Sequence, residues 1–438
     1  MERTWHKPLP AADLLIRGGR VVDPLSGVDK VEDVLVRRGK IVEAGKDLAA
    51  PKGVREVDAA GMLVLPGFVD LHAHLRAPGR EDEENVASGT LAAAAGGYVK
   101  VFAMANTEPV VDTAVVLRGL VETARAEAVV PAGFYAAVTR GLKGEQLTEM
   151  AELAEAGAVA FSDDGRPLVT AALVRRALQY AKVTGRTVAI HAQDESLFRG
   201  GQMHEGAVSA RMGLGGIPSL CESLDVARAL DTAAYEGAPL HVCHVSAAAT
   251  LEHLSRAKAA GLRVTAEVTP HHLTLTDEAV TSLDGNLKMN PPLREEDDRQ
   301  ALVKALKSGL VDCVATDHAP HAPMSKDVPF EEAAFGTTGL ETAFAVLYTE
   351  LVKKRALDLG TLVTRMSQAP AAIAGVEPPA IRAGAVADLC VVDPRATWVV
   401  SADGFRSRSA NSAFLGRQVS GRIKLTVAAG RLAWEDDA

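Results

Sequence analysis

Residues 12–60 alternate apolar and polar positions in short pieces, DLLIRGGRVVD, VEDVLVRRGKIVEAG and REVDAAG, separated by glycine and Asp-Pro turn signals. Residues 383–438 repeat that texture in AGAVADLCVVDP, TWVVSADG and GRIKLTVAAGRLAW. Between them the period changes. Short apolar runs alternate with longer Ala/Leu/Glu/Arg stretches of helical spacing, such as LVTAALVRRALQYAKVTG and AAATLEHLSRAKAAG. The runs are MLVLPGFVDLHAH, YVKVFAMANT, PAGFYAAVT, GAVAFSDDG, TVAIHAQDE, PLHVCHVSA, RVTAEVTPHH and VDCVATDHAPH. Strands alternating with helices imply a parallel sheet, and eight such units predict an α/β fold of the closed (β/α)8 TIM-barrel type. A doubly wound open sheet is the alternative, but no GxGxxG follows any run. The expected division is a barrel over residues 63–375. A small β-sandwich domain takes residues 1–62 and 376–438 from the two chain termini.

Polar residues gather at the ends of these runs. Seven of the eight finish in His, Asp, Asn or a TPHH cluster. In a barrel those ends converge on the face where active sites are built. In an extended strand, residues two apart share a face, so DLHAHLR places His72, His74 and Arg76 together if the strand geometry persists. Paired imidazoles can hold a metal, and a guanidinium can grip a carboxylate beside it. His191 and His244 end two further runs. His241 lies three positions before His244 and so faces elsewhere. Asp317 ends the eighth run, beside His72 and His74 if the barrel closes. In FSDDG, Asp163 and Asp164 alternate in direction, so one of them points inward; the same residues also suit a plain turn. Imidazoles, carboxylates and an open water position are what metal-assisted hydrolysis requires.

Composition changes the picture mainly by exclusion. The 438 residues are 47% hydrophobic and 24% charged, ordinary for a globular protein. A net charge of −9 with both signs interspersed leaves no basic footprint for nucleic acid. Four cysteines, none in a CxxC, suit a reducing cytoplasm and offer no thiolate zinc site. MERTWHKPLPAADLL lacks the long apolar stretch of a signal peptide and no run of about 18 apolar residues appears, so a soluble, cytoplasmic protein is the expectation.

HAHLRAPG, MANTEPVVDT, FSDDG, NPPLR, ATDHAPH and DVPFEEAAFGTTGLETA, in that order, resemble the longer bacterial dihydroorotases of the amidohydrolase superfamily. The likeness runs through nearly the whole chain. It implies zinc-dependent, reversible cyclisation of N-carbamoyl-L-aspartate to (S)-dihydroorotate in pyrimidine biosynthesis. By the same resemblance, His72, His74 and Asp317 hold one zinc, His191 and His244 a second, and Asp164, rather than Asp163, bridges them. Related cyclic-amide hydrolases use a carbamylated lysine as the bridge, and AVAFSDDG has none. Asp317 is implied as the proton-transferring catalytic residue. His74, Arg76, Asn106, Asn290 and His321 surround the substrate, with backbone at Phe335 and Gly336. Ala105, Gln193 and Phe335 depart from the family's usual residues, and none of these removes a ligand. The alternatives are a hydantoinase or allantoinase on the same barrel, or a non-catalytic partner of aspartate transcarbamoylase. A cytoplasmic homo-oligomer (a dimer), with possible association with that transcarbamoylase, completes the expectation.

Overall fold

The computed structural model describes residues 3–436. Strands from both ends of the chain pair into one eight-stranded sheet. Its order is Arg431–Glu435, Gln418–Ala428, Leu389–Val399, Leu63–Pro66, Leu14–Asp23, Val28–Arg37 and Lys40–Gly45, with Arg55–Asp58 also pairing to Leu14–Asp23. The strands of the small domain expected from the two chain ends thus hydrogen-bond into one continuous sheet. The reason is Leu63–Pro66, which pairs parallel to the N-terminal strand and antiparallel to Leu389–Val399, joining the two halves edge to edge. That strand extends the terminal sheet past residue 62. Ile16, Val34, Ile41, Val64, Leu389, Val391 and Val427 share one apolar core although they come from opposite ends of the strand order. A bridge from Lys40 to Val386 ties one edge of the sheet to the C-terminal segment. Gly39 and Gly430 touch backbone to backbone; a Cβ on Gly39 would lie 2.7 Å from the Gly430 carbonyl oxygen.

The central runs form parallel strands. Phe68–Ala73, Tyr98–Ala103 and Ala132–Phe134 make one sheet, and Val188–Ile190, Leu240–Val242, Val264–Val268 and Cys313–Val314 make another. Single parallel bridges connect them: Ala136 to Phe161, Phe161 to Val188, and Ala73 to His318. The fourth run is therefore one bridging residue, not a strand. The chain turns immediately after Phe161, where Asp163 leaves to accept hydrogen bonds from Val138 and Thr139 and Gly165 adopts φ +80°.

Amphipathic helices cover the outside. Ala171–Thr184 starts where the Thr170 hydroxyl accepts the Leu173 N–H, and stops at Gly185 in the left-handed conformation. Its apolar stripe, Leu173, Val174, Ala177, Leu178 and Ala181, is buried. Leu117, Leu178, Val226 and Leu254 from four helices enter the same core as Val101, Val188 and Val242 from the strands. Burying one such side chain contributes about 1.5–3 kcal/mol. The packing holds the strand ends, and hence the polar residues that follow them, in fixed relation. No helix among the described residues is long and apolar enough to cross a membrane.

Candidate metal centre and its cavity

Four imidazoles expected at the site converge on Asp164. Its Oδ1 lies 3.3 Å from His72 Nε2, 3.4 Å from His244 Nε2 and 3.6 Å from His191 Nδ1, and its Oδ2 lies 3.6 Å from His74 Nε2. Asp317 Oδ1 completes the group at 3.1 Å from His74 Nε2 and 3.5 Å from His72 Nε2. His191 Nδ1 and His244 Nε2 are 2.9 Å apart. Asp163 does the opposite work: Oδ1 accepts the N–H of Val138 and Thr139, and Oδ2 accepts the Thr139 hydroxyl. One aspartate of the pair faces the site and its neighbour fastens the loop.

Tautomers follow from what lies behind each ring. His72 Nδ1 donates to Glu267 Oε1 at 2.7 Å and His74 Nδ1 donates to Asn106 Oδ1 at 2.9 Å, so Nε2 is the nitrogen each ring turns to the two aspartates. His191 is reversed. Its Nε2 donates to Gln193 Oε1 at 3.2 Å, leaving Nδ1 toward Asp164. His241 stays outside, held by Thr265 Oγ1 and by Glu267 Oε2.

Burial pushes the Asp164 and Asp317 carboxyls up, but the positive charge of a protonated His72 and hydrogen bonds from the facing imidazoles outweigh it and hold both well below the usual range. His72 Nε2 and Asp164 Oδ1 are buried and find no hydrogen-bond partner among the described residues. Orphaned polar atoms of this kind are rare in native interiors and mark an unfilled role. Cation-sized groupings of His72, Asp164 and His244, and of His72, His74 and Asp317, fit a divalent metal held by nitrogen and oxygen. A third grouping, His72 with Cys243 and Glu267, fits poorly. There His72 Nδ1 is already donating, and burial pushes the Cys243 thiol up, away from the thiolate a metal needs.

Above these groups opens a cavity of ≈ 350 Å³, lined by Arg76, Asn106, Asn290, His321, Phe335 and Gly336 among others. The strand ends at Ala73, so alternation alone does not carry Arg76 onto this face. A left-handed turn at Arg76, φ +55°, does. Asn290 Nδ2 donates to Gln193 Oε1 at 2.8 Å. The backbone at Phe335 and Gly336 is less free than expected. The Phe335 carbonyl accepts His321 Nε2, while the Gly336 N–H donates to the Lys288 carbonyl at 2.8 Å. Glycine is required at 336, where φ is +130° and a Cβ would lie 2.7 Å from that of Ala319.

Three contributors escape the sequence reading. Glu267 sits inside RVTAEVTP, where a strand carboxylate reads as solvent-facing. Glu83 sits in the acidic stretch REDEE. Asn411, assigned to the terminal domain, reaches back to the cavity rim: its amide oxygen accepts the His321 N–H and its amide nitrogen donates to the Ala319 carbonyl.

A dihydro-orotase-like family model matches residues 61–250. The dihydroorotase of Geobacter metallireducens is 47% identical over 97% of this chain and 100% of its own length. That of Anaeromyxobacter dehalogenans is 45% identical over 97% of this chain and 98% of its own. Among solved structures, the L-hydantoinase of Arthrobacter aurescens superposes with a TM-score of 0.87 at 26% identity, covering 97% of this chain and 96% of that one. Dihydropyrimidinase from Brevibacillus agri gives 0.83 at 24% over 96% and 94%, a likeness of fold. With relatives this similar along essentially its whole length, the chain belongs to the dihydroorotase family.

Proposed function

We propose that this protein interconverts N-carbamoyl-L-aspartate with (S)-dihydroorotate and water, the ring-closing step toward UMP. The observation that carries the reading is the convergence of four imidazoles on Asp164, two of them also meeting Asp317, beneath a cavity that Arg76 lines. The pairings that run from strand to strand and return from His318 to Ala73 support a closed (β/α)8 barrel. We assign the terminal sheet to residues 12–66 with 376–436, and the barrel to 67–375.

His72, His74 and Asp317 would hold one zinc, His191 and His244 the second, with Asp164 between them. Zinc at these positions supplies Lewis acidity and lowers the pKa of bound water towards ~7. The chain's own residues do the rest. Asp317, kept ionised by the facing imidazoles, accepts the proton of the attacking water in the hydrolytic direction. It passes that proton to the ring nitrogen as the C–N bond breaks; cyclisation is the reverse. Arg76, Asn106 and His321 orient the substrate carboxylate that the reaction leaves unchanged. Asn290 and the backbone at Phe335 and Gly336 bound the ring. Arg76 Nε donates to the Pro320 carbonyl at 3.0 Å and Nη2 lies 3.4 Å from His321 Nε2, which places the guanidinium and the imidazole side by side for a carboxylate.

The test is to assay the purified chain, loaded with zinc and without any transcarbamoylase, in both directions. Turnover of dihydroorotate and carbamoyl aspartate is expected. Preference for hydantoin or allantoin, or no turnover at all, would overturn the assignment. Light scattering on the same sample reads the dimer we also propose.

A further inference from the structure

We propose that Glu83 is a positioning residue that aims Arg76 and His321 at the substrate carboxylate. This rests on the reading of those two residues as carboxylate-binding. Glu83 is 1% exposed although it lies in REDEE, a stretch that otherwise suits a solvated surface. Its Oε2 lies 3.4 Å from Arg76 Nε, on the edge of the guanidinium that also meets the Pro320 carbonyl. Its Oε1 lies 3.4 Å from His321 Nδ1, receives Arg80 and is 3.5 Å from the Ala322 N–H.

The chemistry of His321 makes the contact specific. One ring nitrogen, Nε2, meets the Phe335 carbonyl at 2.8 Å, so it carries a proton. The other, Nδ1, faces Glu83 and has no hydrogen-bond partner among the described residues. A ring between two acceptors is satisfied best when both nitrogens are protonated. Burial and Arg76 work against that by lowering the His321 pKa while Glu83 raises it, so what Glu83 fixes is the orientation of the ring and of the guanidinium, whose Nη2 lies 3.4 Å from His321 Nε2. Arg76 and His321 held this way form a receptor for a carboxylate, with the Glu83 side occupied and the cavity side open. The Ser409 hydroxyl donates to the Glu83 carbonyl at 2.7 Å and fixes the backbone from behind.

The experiment compares Glu83→Gln, Glu83→Asp and Arg76→Lys in the zinc-loaded protein. It measures kcat and KM for dihydroorotate, and calorimetric Kd for orotate, which carries the carboxylate, and uracil, which lacks it. Glu83→Gln should raise KM and the orotate Kd by about tenfold, the loss expected for a hydrogen bond between charged groups. Its kcat, zinc content and uracil affinity should stay at parental values. Glu83→Asp keeps the charge and should recover part of the loss; if the glutamine variant does not fold, it carries the orotate and uracil comparison. Parental orotate affinity in both Glu83 variants, with Arg76→Lys impaired, overturns the role of Glu83 alone. Parental affinity in Arg76→Lys removes the carboxylate receptor itself. Equal losses for orotate and uracil would reduce Glu83 to a structural residue and also overturn the proposal.

Discussion

Glu267 Oε1 accepts a hydrogen bond from His72 Nδ1 at 2.7 Å, and its other oxygen meets His241 Nε2 at 3.0 Å. Burial would raise this carboxyl, but His72 and His241 bring it down to about 2, so it stays ionised. A carboxylate behind a ligating imidazole fixes the tautomer and raises ligand basicity. Glu267→Ala should weaken metal affinity by about 10–100-fold. Competition against a chromophoric chelator measures this; undiminished affinity would show that His72 needs no such support.

The two neighbouring aspartates should separate cleanly. Asp164→Ala removes the carboxylate on which four imidazoles converge, so bound zinc should fall while the fold persists. Asp163→Ala leaves the N–H groups of Val138 and Thr139 without their acceptor, and should cost about 1–3 kcal/mol in stability. Urea unfolding and metal analysis on both variants decide the matter, and a swap of phenotypes would reverse the assignment.

Asp317→Asn preserves size but cannot take up a proton. We expect kcat to fall by at least ~10². Near-parental turnover with zinc bound would move the proton transfer elsewhere.

His204 offers a pH test away from the metals. Arg294 Nη1 lies 3.1 Å from His204 Nδ1 and donates to it, so the ring is neutral in the fold. Burial first, then Arg294, lowers its pKa to about 4. Between about 4 and the ordinary value near ~6.5 the unfolded chain binds the proton and the folded chain does not. Its contribution to stability is thus present above that window and lost as pH falls through it. His204→Gln retains an acceptor and should flatten the stability difference between pH 7 and pH 4.5, read by urea titration. An unchanged slope would place the acid sensitivity in other groups.

Residues that end an apolar run were legible because strand geometry and a convergent rim leave few directions open. His72, His74, His191, His244 and Asp317 all follow that logic. Choosing Asp164 over Asp163 required family likeness, since a turn of two aspartates looks the same either way. Arg76 reaches the cavity through a left-handed turn that alternation does not describe. Glu83, Glu267 and Asn411 were hidden for a different reason. Each is defined by partners far away in sequence, so its local stretch carries only the signature of a surface or a loop. The single bridge at Phe161 was likewise invisible, because apolar texture does not reveal how few residues of a run will pair.

The terminal sheet also has a history in time. Leu63–Pro66 pairs with Leu389–Val392, residues made roughly 320 positions later. At ~5–20 residues per second, the early strands wait on the order of tens of seconds during synthesis. Throughout that interval one side of Leu63–Pro66 is an open edge, able to template association with other nascent chains. The Gly39–Gly430 contact belongs to the same late event, since neither turn can seat until both exist. Lowering the speed of elongation therefore lengthens the exposure of this edge, and the demand for chaperone protection follows translation rate.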